Sequence, residues 1–288
     1  MRVLVTGAAG QLGRDLLNAF ARHEVTGLGH ADLDIGNEAA VADAVAAVRP
    51  SVVVNAAAMT DVDGCESDRG RAHRVNALGP WWLARACARE GATLVQVSTD
   101  YVFSGAPPVG PGGEPRGWTE FDPVAPGNTY GHSKAAAEQL VRETLDRHHI
   151  VRTAWLAGAG GTNFVRTMLG LGADGHVRVV EDQVGSWTAT EDLARAIVEI
   201  ATSGRHGTVH RVNRGRASWA DVADAVFAAA DMDVQVERVS SAAFPRPAAR
   251  PEWSVLDQGH ADAMGLTPLP DWTASLERLV RQLLELGA

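Results

Sequence analysis

The sequence predicts an α/β fold, a doubly wound parallel sheet with a smaller C-terminal α/β domain. Short runs rich in Val and Leu alternate with helical patterns over the first 155 residues, an order typical of parallel sheets with helices on both faces. A glycine-rich turn joins the first run to the first helix, and the alternation weakens after Trp155. We therefore predict one domain over 1–155 plus about 187–212, and a second over about 156–186 plus 213–288.

Composition argues against several classes of partner. The chain has 288 residues, and 26 basic against 35 acidic residues give a net charge of −9. This charge offers no electrostatic basis for binding nucleic acid or an anionic membrane. No apolar run approaches the length of a membrane span, and the first residues lack a signal-peptide pattern. Cys65 and Cys87 lack metal-ligand spacing, and we interpret them as reduced thiols of a cytoplasmic protein.

The elements of the first domain follow from hydrophobic runs and chain breakers. Val- and Leu-rich runs predict buried strands, and the amphipathic or Ala-rich stretches between them predict helices. The predicted strands are 2–6, 25–29, 51–55, 93–97 and 150–153, and the predicted helices are 11–22, 37–48, 65–90 and 129–146. Residues 104–128 are rich in Gly and Pro. We expect a long mobile loop there, because loops of this length are commonly functional or disordered.

The second half of the chain gives weaker signals. The predicted helices are 162–171, 191–202, 218–229 and a C-terminal helix from about 272, and the predicted strands are 177–180 and 208–212. Ser218 is a favourable N-cap for the third of these helices. Residues 240–258 show no regular pattern.

Residues 7–13 form a candidate phosphate-binding turn. Gly7, Gly10 and Gly13, with Gln11 and Leu12 between them, separate the first strand from the first helix. Glycines let the backbone turn tightly and approach a pyrophosphate, and the free N–H groups of the helix start favour an anion. The spacing is Gly-x-x-Gly-x-x-Gly, so the strand–turn–helix context carries the prediction of a dinucleotide site.

The ends of the second and third strands refine the cofactor prediction. NAD sites place an acid at the end of the second strand to hold the ribose 2′-hydroxyl, but here that end reads Leu28-Gly29-His30. The missing acid favours NADPH, with NADH as the alternative, and we place Asp34 and Ile35 beside the adenine. Ala56, Ala57 and Ala58 follow the third strand, where small side chains let a cofactor pass close to the backbone.

Lys134 is the only lysine of the chain and follows Tyr130 by four residues. In a helix the two side chains lie one turn apart on one face. A nearby ammonium lowers a tyrosine pKa, which suits proton transfer near neutral pH. An ordinary Tyr–Lys pair on a surface helix is an equally open interpretation of this motif alone. Ser98 and Thr99 end the fourth strand, where ligands of open α/β sheets bind, so Thr99 is placed to meet a substrate carbonyl.

Motifs along nearly the whole chain add a family resemblance. The more specific ones are Ser98-Thr-Asp-Tyr-Val-Phe103 and Arg152-Thr-x-Trp155. The others are Gly7–Gly13, Val54-Asn-Ala-Ala-Ala58, Thr60 through Val62-Asp63, Cys65-Glu66-Ser67, Tyr130-Gly-x-Ser-Lys134 with Glu138, Asn163-Phe164, Asp182-Gln183-x-Gly185 and Arg250-Pro251. In these residues the chain resembles the extended short-chain dehydrogenase/reductases and, among them, the dTDP-4-dehydrorhamnose reductases.

The resemblance implies a reaction and roles for three residues. It implies NAD(P)H-dependent reduction of the C4 keto group of a dTDP-4-keto-6-deoxyhexose. The expected substrate is dTDP-4-dehydrorhamnose, reduced to dTDP-rhamnose, or a related deoxysugar of antibiotic or cell-surface glycan biosynthesis. Tyr130 would give a proton to the developing alkoxide, and Thr99 would stabilise the same oxygen. Lys134 would lower the Tyr130 pKa and bond the nicotinamide ribose.

The resemblance also implies contacts to the nucleotide-diphosphate sugar. Trp155 would stack on the sugar, and Asn163 and Arg250 would reach the sugar or the diphosphate. One departure is Ser186-Trp187-Thr188, where the family carries smaller residues, and we expect extra bulk near the substrate there.

The assembly and two further functions are also considered. Some family members pair through Mg²⁺ held by acidic residues, for which Asp15 and Glu191 are candidates. We predict no metal site, and a monomer or homodimer. A non-catalytic, cofactor-binding regulatory subunit is the alternative function. An epimerase or dehydratase is disfavoured, because dehydratases carry an Asp-Glu pair after the threonine and here Asp100 precedes Tyr101.

Overall fold

The computed structural model describes residues 1–287. The strands are β1 (Arg2–Thr6), β2 (Glu24–Leu28), β3 (Val52–Asn55), β4 (Thr93–Thr99), β5 (His148–Thr153), β6 (Leu156–Ala157), β7 (His176–Val180), β8 (Val184–Gly185), β9 (Thr188–Ala189), β10 (Gly207–His210), β11 (Ala217–Ser218), β12 (Gln235–Val239) and β13 (Trp253–Ser254). The helices are α1 (Gln11–Ala19), α2 (Glu38–Val48), α3 (Val62–Ser67), α4 (Arg69–His73), α5 (Gly79–Glu90), α6 (Thr129–Thr144), α7 (Phe164–Leu171), α8 (Thr190–Thr202), α9 (Trp219–Ala229), α10 (Gly259–Ala263) and α11 (Trp272–Glu285).

Six strands form one parallel sheet in the order β10–β5–β4–β3–β1–β2. All residues of β3 are buried, as expected for a strand whose two faces are both covered by helices. The chain winds outward in one direction through β2 and in the other through β3, β4 and β5. The prediction of a doubly wound parallel sheet is confirmed. Its strand order reverses between β1 and β3, which is where such sheets open a crevice for ligands.

The two faces of this sheet carry separate apolar layers. On one face α1 and α8 pack through residues that include Leu16 and Ile197. On the other face α2 and α5 pack through residues that include Val45 and Leu83. The helices therefore fix the carboxyl edge of the sheet from both sides. Within residues 1–287 no helix is long and apolar enough to span a membrane.

A third apolar cluster belongs to the second half of the chain. It joins α7, α9 and α11 to β7 and includes Trp187, which is 1% exposed. The expectation that Trp187 adds bulk near the substrate is therefore wrong, because its ring fills this core instead. Along the chain, α8 and β10 lie between segments of this second unit. In space, β10 belongs to the six-stranded sheet and α8 packs on it. The domain bounds given above remain a prediction.

The single helix predicted over 65–90 is wrong in detail. The segment is divided among α3, α4, a π-helical turn at Arg74–Leu78 and α5. Asp68 ends α3 and caps α4, since its side chain accepts a hydrogen bond from Arg71 N. The π-helical turn brings the side chain of Asn76 into the interior, beneath the start of α6.

The second half of the segment 104–128 is anchored by packing, so the expected mobile loop is wrong for that half. Trp118 is buried and stacks on Phe103 with 4.6 Å between ring centroids. Arg116 and Asp122 form an ion pair at 2.6 Å that closes the turn between them. The tip, around Val109, projects from the molecule as a short hairpin.

Candidate active site

A cleft of about 650 Å³ opens at the carboxyl edge of the six-stranded sheet. It collects most of the residues predicted from the sequence: Gly7, Gly10, Gln11, Leu12, Gly13, Asp34, Ile35, Ala56, Ala57, Ala58, Ser98, Thr99, Tyr130, Lys134 and Trp155 all line it. Asn163 and Arg250 do not line this cleft. The fold thus brings the candidate cofactor turn and the candidate reacting groups into one cavity.

The glycine turn forms a cradle that a side chain would fill. Gly7 has φ of 71°, and a Cβ there would lie 2.6 Å from Ala57 N. A Cβ on Gly13 would lie 2.2 Å from Gly7 O. α1 begins directly after the turn, and within residues 1–287 no side chain caps it at Gly10. The turn therefore presents free N–H groups at a helix start, which fits the pyrophosphate of a dinucleotide.

The far end of the cleft lies beside β2. Asp32 Oδ2 accepts from Gly29 N at 2.9 Å, and Asp34 Oδ1 accepts from Gly36 N at 2.8 Å. Both carboxylates thus take part in backbone turns. His30 and Arg71 also line the cleft, and both are exposed.

Tyr130 and Lys134 are positioned by the start of α6. Asn128 caps this helix by accepting from Gly131 N at 2.8 Å, and Glu66 accepts from Thr129 N at 2.7 Å. The ammonium of Lys134 is buried and donates to Val97 O at 2.7 Å. Burial lowers the pKa of Lys134 to about 8, although the nearby Glu138 carboxylate acts in the opposite direction.

The pKa of Tyr130 is displaced upward. Burial of the phenol is the largest cause, the Asp100 carboxylate adds to it, and the Thr99 hydroxyl acts in the opposite direction. The prediction that Lys134 lowers this pKa is therefore wrong in this structure, where the ammonium is directed to Val97 O. A phenol that keeps its proton at neutral pH is the form that a proton donor needs.

Two residues that the sequence analysis gave no role hold this arrangement together. Asn76 donates to Ser133 Oγ at 3.1 Å, and Ser133 Oγ donates to Tyr130 O at 2.7 Å. Asn76 also bonds both backbone groups of Met59, so it links α6 to the segment after β3. The only available signal was the position of Asn76 between Val75 and Ala77 in the predicted helix 65–90.

The second is Glu138, which stood in the resemblance only as part of a motif. Its carboxylate accepts two bonds from Arg152, at 2.9 and 2.7 Å, and one from Ser98 Oγ at 2.6 Å. Glu138 and Arg152 are both 1% exposed. This ion pair joins α6 to β4 and β5 directly behind the cleft.

Trp155 forms a wall of the cleft together with Trp219. The two rings stack at 3.7 Å with an interplanar angle of 9°, and both line the cavity. The backbone of Trp155 has φ of 46°, an uncommon value for a bulky residue, which often marks a functional position. Trp219 had no role in the sequence analysis.

Asn163 and Arg250 make contacts outside the cleft. Asn163 caps α7 and donates to Gln11 Oε1 at 2.9 Å, so it reaches the cofactor turn through another side chain. Arg250 pairs with Asp63 through two bonds at 3.0 and 2.9 Å. Arg250 and Tyr101 line a smaller cavity of about 210 Å³. Neither residue lines the main cleft, but Tyr101 lines both cavities and Gln11, the partner of Asn163, lines the cleft.

The acidic residues considered for Mg²⁺ have protein partners. Asp15 accepts from the Thr190 hydroxyl, and Glu191 pairs with Arg195 and Arg278. Over residues 1–287 there is no group of three His, Cys, Asp or Glu side chains placed to hold a metal ion.

Comparison with known proteins assigns the family. The family described as RmlD substrate binding domain matches residues 1–285. The chain is 46% identical over 285 residues to the dTDP-4-dehydrorhamnose reductase of Streptomyces griseus, covering 96% of this chain and 91% of that protein. It is 43% identical over 292 residues to the probable dTDP-4,6-dihydroxy-2-methyloxan-3-one 4-ketoreductase of Streptomyces antibioticus, covering 99% and 96%.

A solved structure agrees with the sequence relatives. The dTDP-4-dehydrorhamnose reductase of Bacillus anthracis in complex with NADP superposes with a TM-score of 0.92 at 39% identity, covering 98% of this chain and 99% of that one. The match therefore extends over the sheet, the cleft and the second unit alike. The chain belongs to the family of the dTDP-4-dehydrorhamnose reductases.

Proposed function

We propose that this protein reduces the C4 keto group of a dTDP-4-keto-6-deoxyhexose, using a nicotinamide cofactor. The observation that carries the proposal is the convergence of Thr99, Tyr130 and Lys134 with the glycine turn in one cleft. The names of the relatives from the two Streptomyces species support the substrate class. Reduction of dTDP-4-dehydrorhamnose to dTDP-rhamnose is the first candidate reaction, and a related deoxysugar is the second.

The cofactor would lie along the cleft from the glycine turn to Lys134. Gly7–Gly13 fits the pyrophosphate, Ala56–Ala58 leaves room beside the backbone, and Asp34 and Ile35 lie at the adenine end. When bound, the nicotinamide supplies the hydride. We propose NADPH as the preferred form, because the strand end lacks an acid and the basic side chains of His30 and Arg71, which line the cleft, favour a 2′-phosphate. The NADP complex of the relative from Bacillus anthracis supports this preference.

Proton transfer falls to Tyr130. As the C4 carbon gains hydride, the electron pair of the carbonyl bond moves to oxygen, and the phenol gives that oxygen its proton. The phenol is protonated at neutral pH, which is the form that gives this proton. The Thr99 hydroxyl, beside the phenol, stabilises the same oxygen while charge develops on it. Lys134 places a positive charge beneath the site, and we propose that it also bonds the cofactor ribose.

On the substrate side, we propose that the exposed face of Trp155 holds the sugar ring. Arg250 lines the adjoining cavity with Tyr101, where a guanidinium suits a diphosphate. Asn163 bonds Gln11 rather than facing the cleft, so its role is to position the cofactor turn against the second unit.

The test is to follow NADPH and NADH oxidation with dTDP-4-keto-6-deoxyhexoses that differ at C2, C3 and C5. We expect oxidation coupled to formation of the 4-hydroxy sugar, faster with NADPH, and a kcat lowered about 10²–10⁴-fold in Tyr130→Phe. A wild-type protein that binds NADPH yet reduces none of these sugars would favour the regulatory-subunit alternative. The intact set of Thr99, Tyr130 and Lys134 supports catalysis, because cofactor binding alone requires no proton donor.

A further inference from the structure

A line of buried polar side chains crosses the parallel sheet behind the cleft. Thr6, Asn55 and Gln96 lie on β1, β3 and β4, and each is 0% exposed. Asn55 pairs in register with Thr6 on one side and with Gln96 on the other. Polar side chains are costly in such an interior unless they are hydrogen-bonded. We call these three residues the polar ladder, and its bonds show which groups it connects.

The hydrogen bonds fix the direction of both amides of the ladder. Ala57 N donates to Asn55 Oδ1 at 3.1 Å, and the oxygen of Asn55 must face it, because a backbone N–H can only donate. The nitrogen of Asn55 therefore faces Gln96 and donates to Oε1 at 2.7 Å. The nitrogen of Gln96 in turn donates to Val97 O at 2.7 Å. Both amides thus point from the segment after β3 to the Val97 carbonyl.

The carbonyl at the end of the ladder also binds Lys134. Nζ donates to Val97 O at 2.7 Å, the only hydrogen bond of this ammonium within residues 1–287. A carbonyl oxygen has two lone pairs, and Gln96 and Lys134 occupy one each. An ammonium has three N–H donors, so two remain for a ligand in the cleft that Lys134 lines.

We propose that Asn55 and Gln96 are positioning residues, whose aligned amides hold the Val97 carbonyl so that Lys134 gives it one hydrogen and directs the other two into the cleft. Neither amide lines the cleft, so both act through Val97 and Lys134 without touching cofactor or substrate. Ala57 lies against Gly7 of the glycine turn. The ladder therefore also fixes the separation between the cofactor turn and the lysine.

The first test observes Lys134 directly. It is the only lysine of the chain, so protein labelled with ¹⁵N at the lysine side chain gives a single side-chain signal in NMR. Gln96→Met nearly keeps the side-chain length and removes the donor to Val97 O. Asn55→Leu nearly keeps the volume and releases the Gln96 amide, which can then turn over. We expect both variants to shift the Nζ signal and to lower its order parameter, because the carbonyl loses its fixed direction.

Thr6→Val is the matched control. The Thr6 hydroxyl donates to Asn55 Oδ1 at 2.6 Å, so this variant also removes a buried hydrogen bond of the ladder. The bond from Ala57 N still fixes the direction of Asn55, and the Nζ signal should keep its wild-type position. An unchanged signal in both Gln96→Met and Asn55→Leu would overturn the proposal. An equal shift in Thr6→Val would overturn it too, because any lost bond would then be sufficient.

Turnover gives the second test, and this part rests on the proposed function. A misdirected ammonium should lower kcat about 10²-fold in Gln96→Met and Asn55→Leu. The KM for the sugar should change little, since neither amide lines the cleft. Wild-type kcat in both variants of an active protein would contradict the positioning role.

The two tests fail separately. Melting temperatures show whether each variant folds, and Gln96→Met alone decides if Asn55→Leu does not. A wild type that reduces no sugar would defeat the proposed function. The Nζ signals would still decide whether the polar ladder positions Lys134, because they require neither cofactor nor substrate.

Discussion

Replacing Glu138 by Gln removes one charge from a buried ion pair and nearly preserves the side-chain shape. The carboxylate lies 2.9 and 2.7 Å from two nitrogens of Arg152, and both residues are 1% exposed. Burial alone would raise the pKa of Glu138, but the bonds and charge of Arg152, together with the Ser98 bond and the Arg142 charge, outweigh it, and the net displacement is downward. The variant leaves the Arg152 guanidinium buried without a compensating charge.

The expected loss follows from that burial. Breaking a buried pair by removing one partner costs about 3–5 kcal/mol of unfolding free energy. For a chain of this size each kcal/mol lowers the melting temperature by about 2–4 °C, so we expect a decrease of roughly 6–20 °C. The stabilisation is present above the ordinary pKa of a glutamate. It is lost as pH falls through the lowered pKa of the folded state.

The assay is urea unfolding of the wild type and Glu138→Gln, with Glu38→Gln as the matched control. Glu38 pairs with Arg85 at 2.5 Å, but the two side chains are 52% and 37% exposed, so its replacement should cost less than about 1 kcal/mol. Replacing both members of the buried pair, Glu138→Leu with Arg152→Met, should recover most of the loss. Equal losses for Glu138→Gln and Glu38→Gln would refute the reasoning.

Three further predictions concern the cleft. Tyr130→Phe should lower kcat about 10²–10⁴-fold with little change in the NADPH Kd measured by fluorescence titration, and full turnover would exclude the proposed role. Lys134→Arg should lose most of its NADPH oxidation rate, because a broad guanidinium does not fit the buried site where Nζ lies 2.7 Å from Val97 O; near-wild-type rates would show that the lysine is incidental. Gly7→Ala should abolish cofactor binding in calorimetry, since its Cβ would lie 2.6 Å from Ala57 N at a φ of 71°, whereas Gly91→Ala, with nothing within 4 Å at a φ of 68°, should bind cofactor normally.

Local patterns in the sequence were sufficient for the sheet and the cofactor turn. The Val-rich run of β3 forms a buried strand because its side chains are apolar. The glycines after β1 form a tight turn because their backbone is permissive. Both effects depend on local residue type alone. The π-helical turn at Asn76 was missed because its cause is a set of bonds to Met59 and Ser133, both distant in sequence.

Contacts between distant segments limited the prediction of side-chain roles. The guanidinium of Arg250 pairs with Asp63, 187 positions away, a contact that no local motif predicts, and its role at the substrate remains a proposal. The Tyr130 pKa was expected to fall, because the sequence shows the lysine one turn away but neither the burial of the phenol nor the direction of Nζ. Tertiary packing determines both the burial of the phenol and the direction of Nζ, and no local sequence motif predicts that packing.

The burial of Lys134 has a practical consequence for chemical labelling. Because the chain has no other lysine, amine acylation of the folded protein should modify the N-terminal amine alone, since Lys134 is 3% exposed. A second acyl group, detected by mass spectrometry after long incubation with the reagent, would show that the cleft around α6 opens and exposes Lys134. The rate of that labelling, with and without NADPH, would measure how tightly the cofactor holds the site closed, and rapid labelling of the resting protein would contradict the burial of this amine.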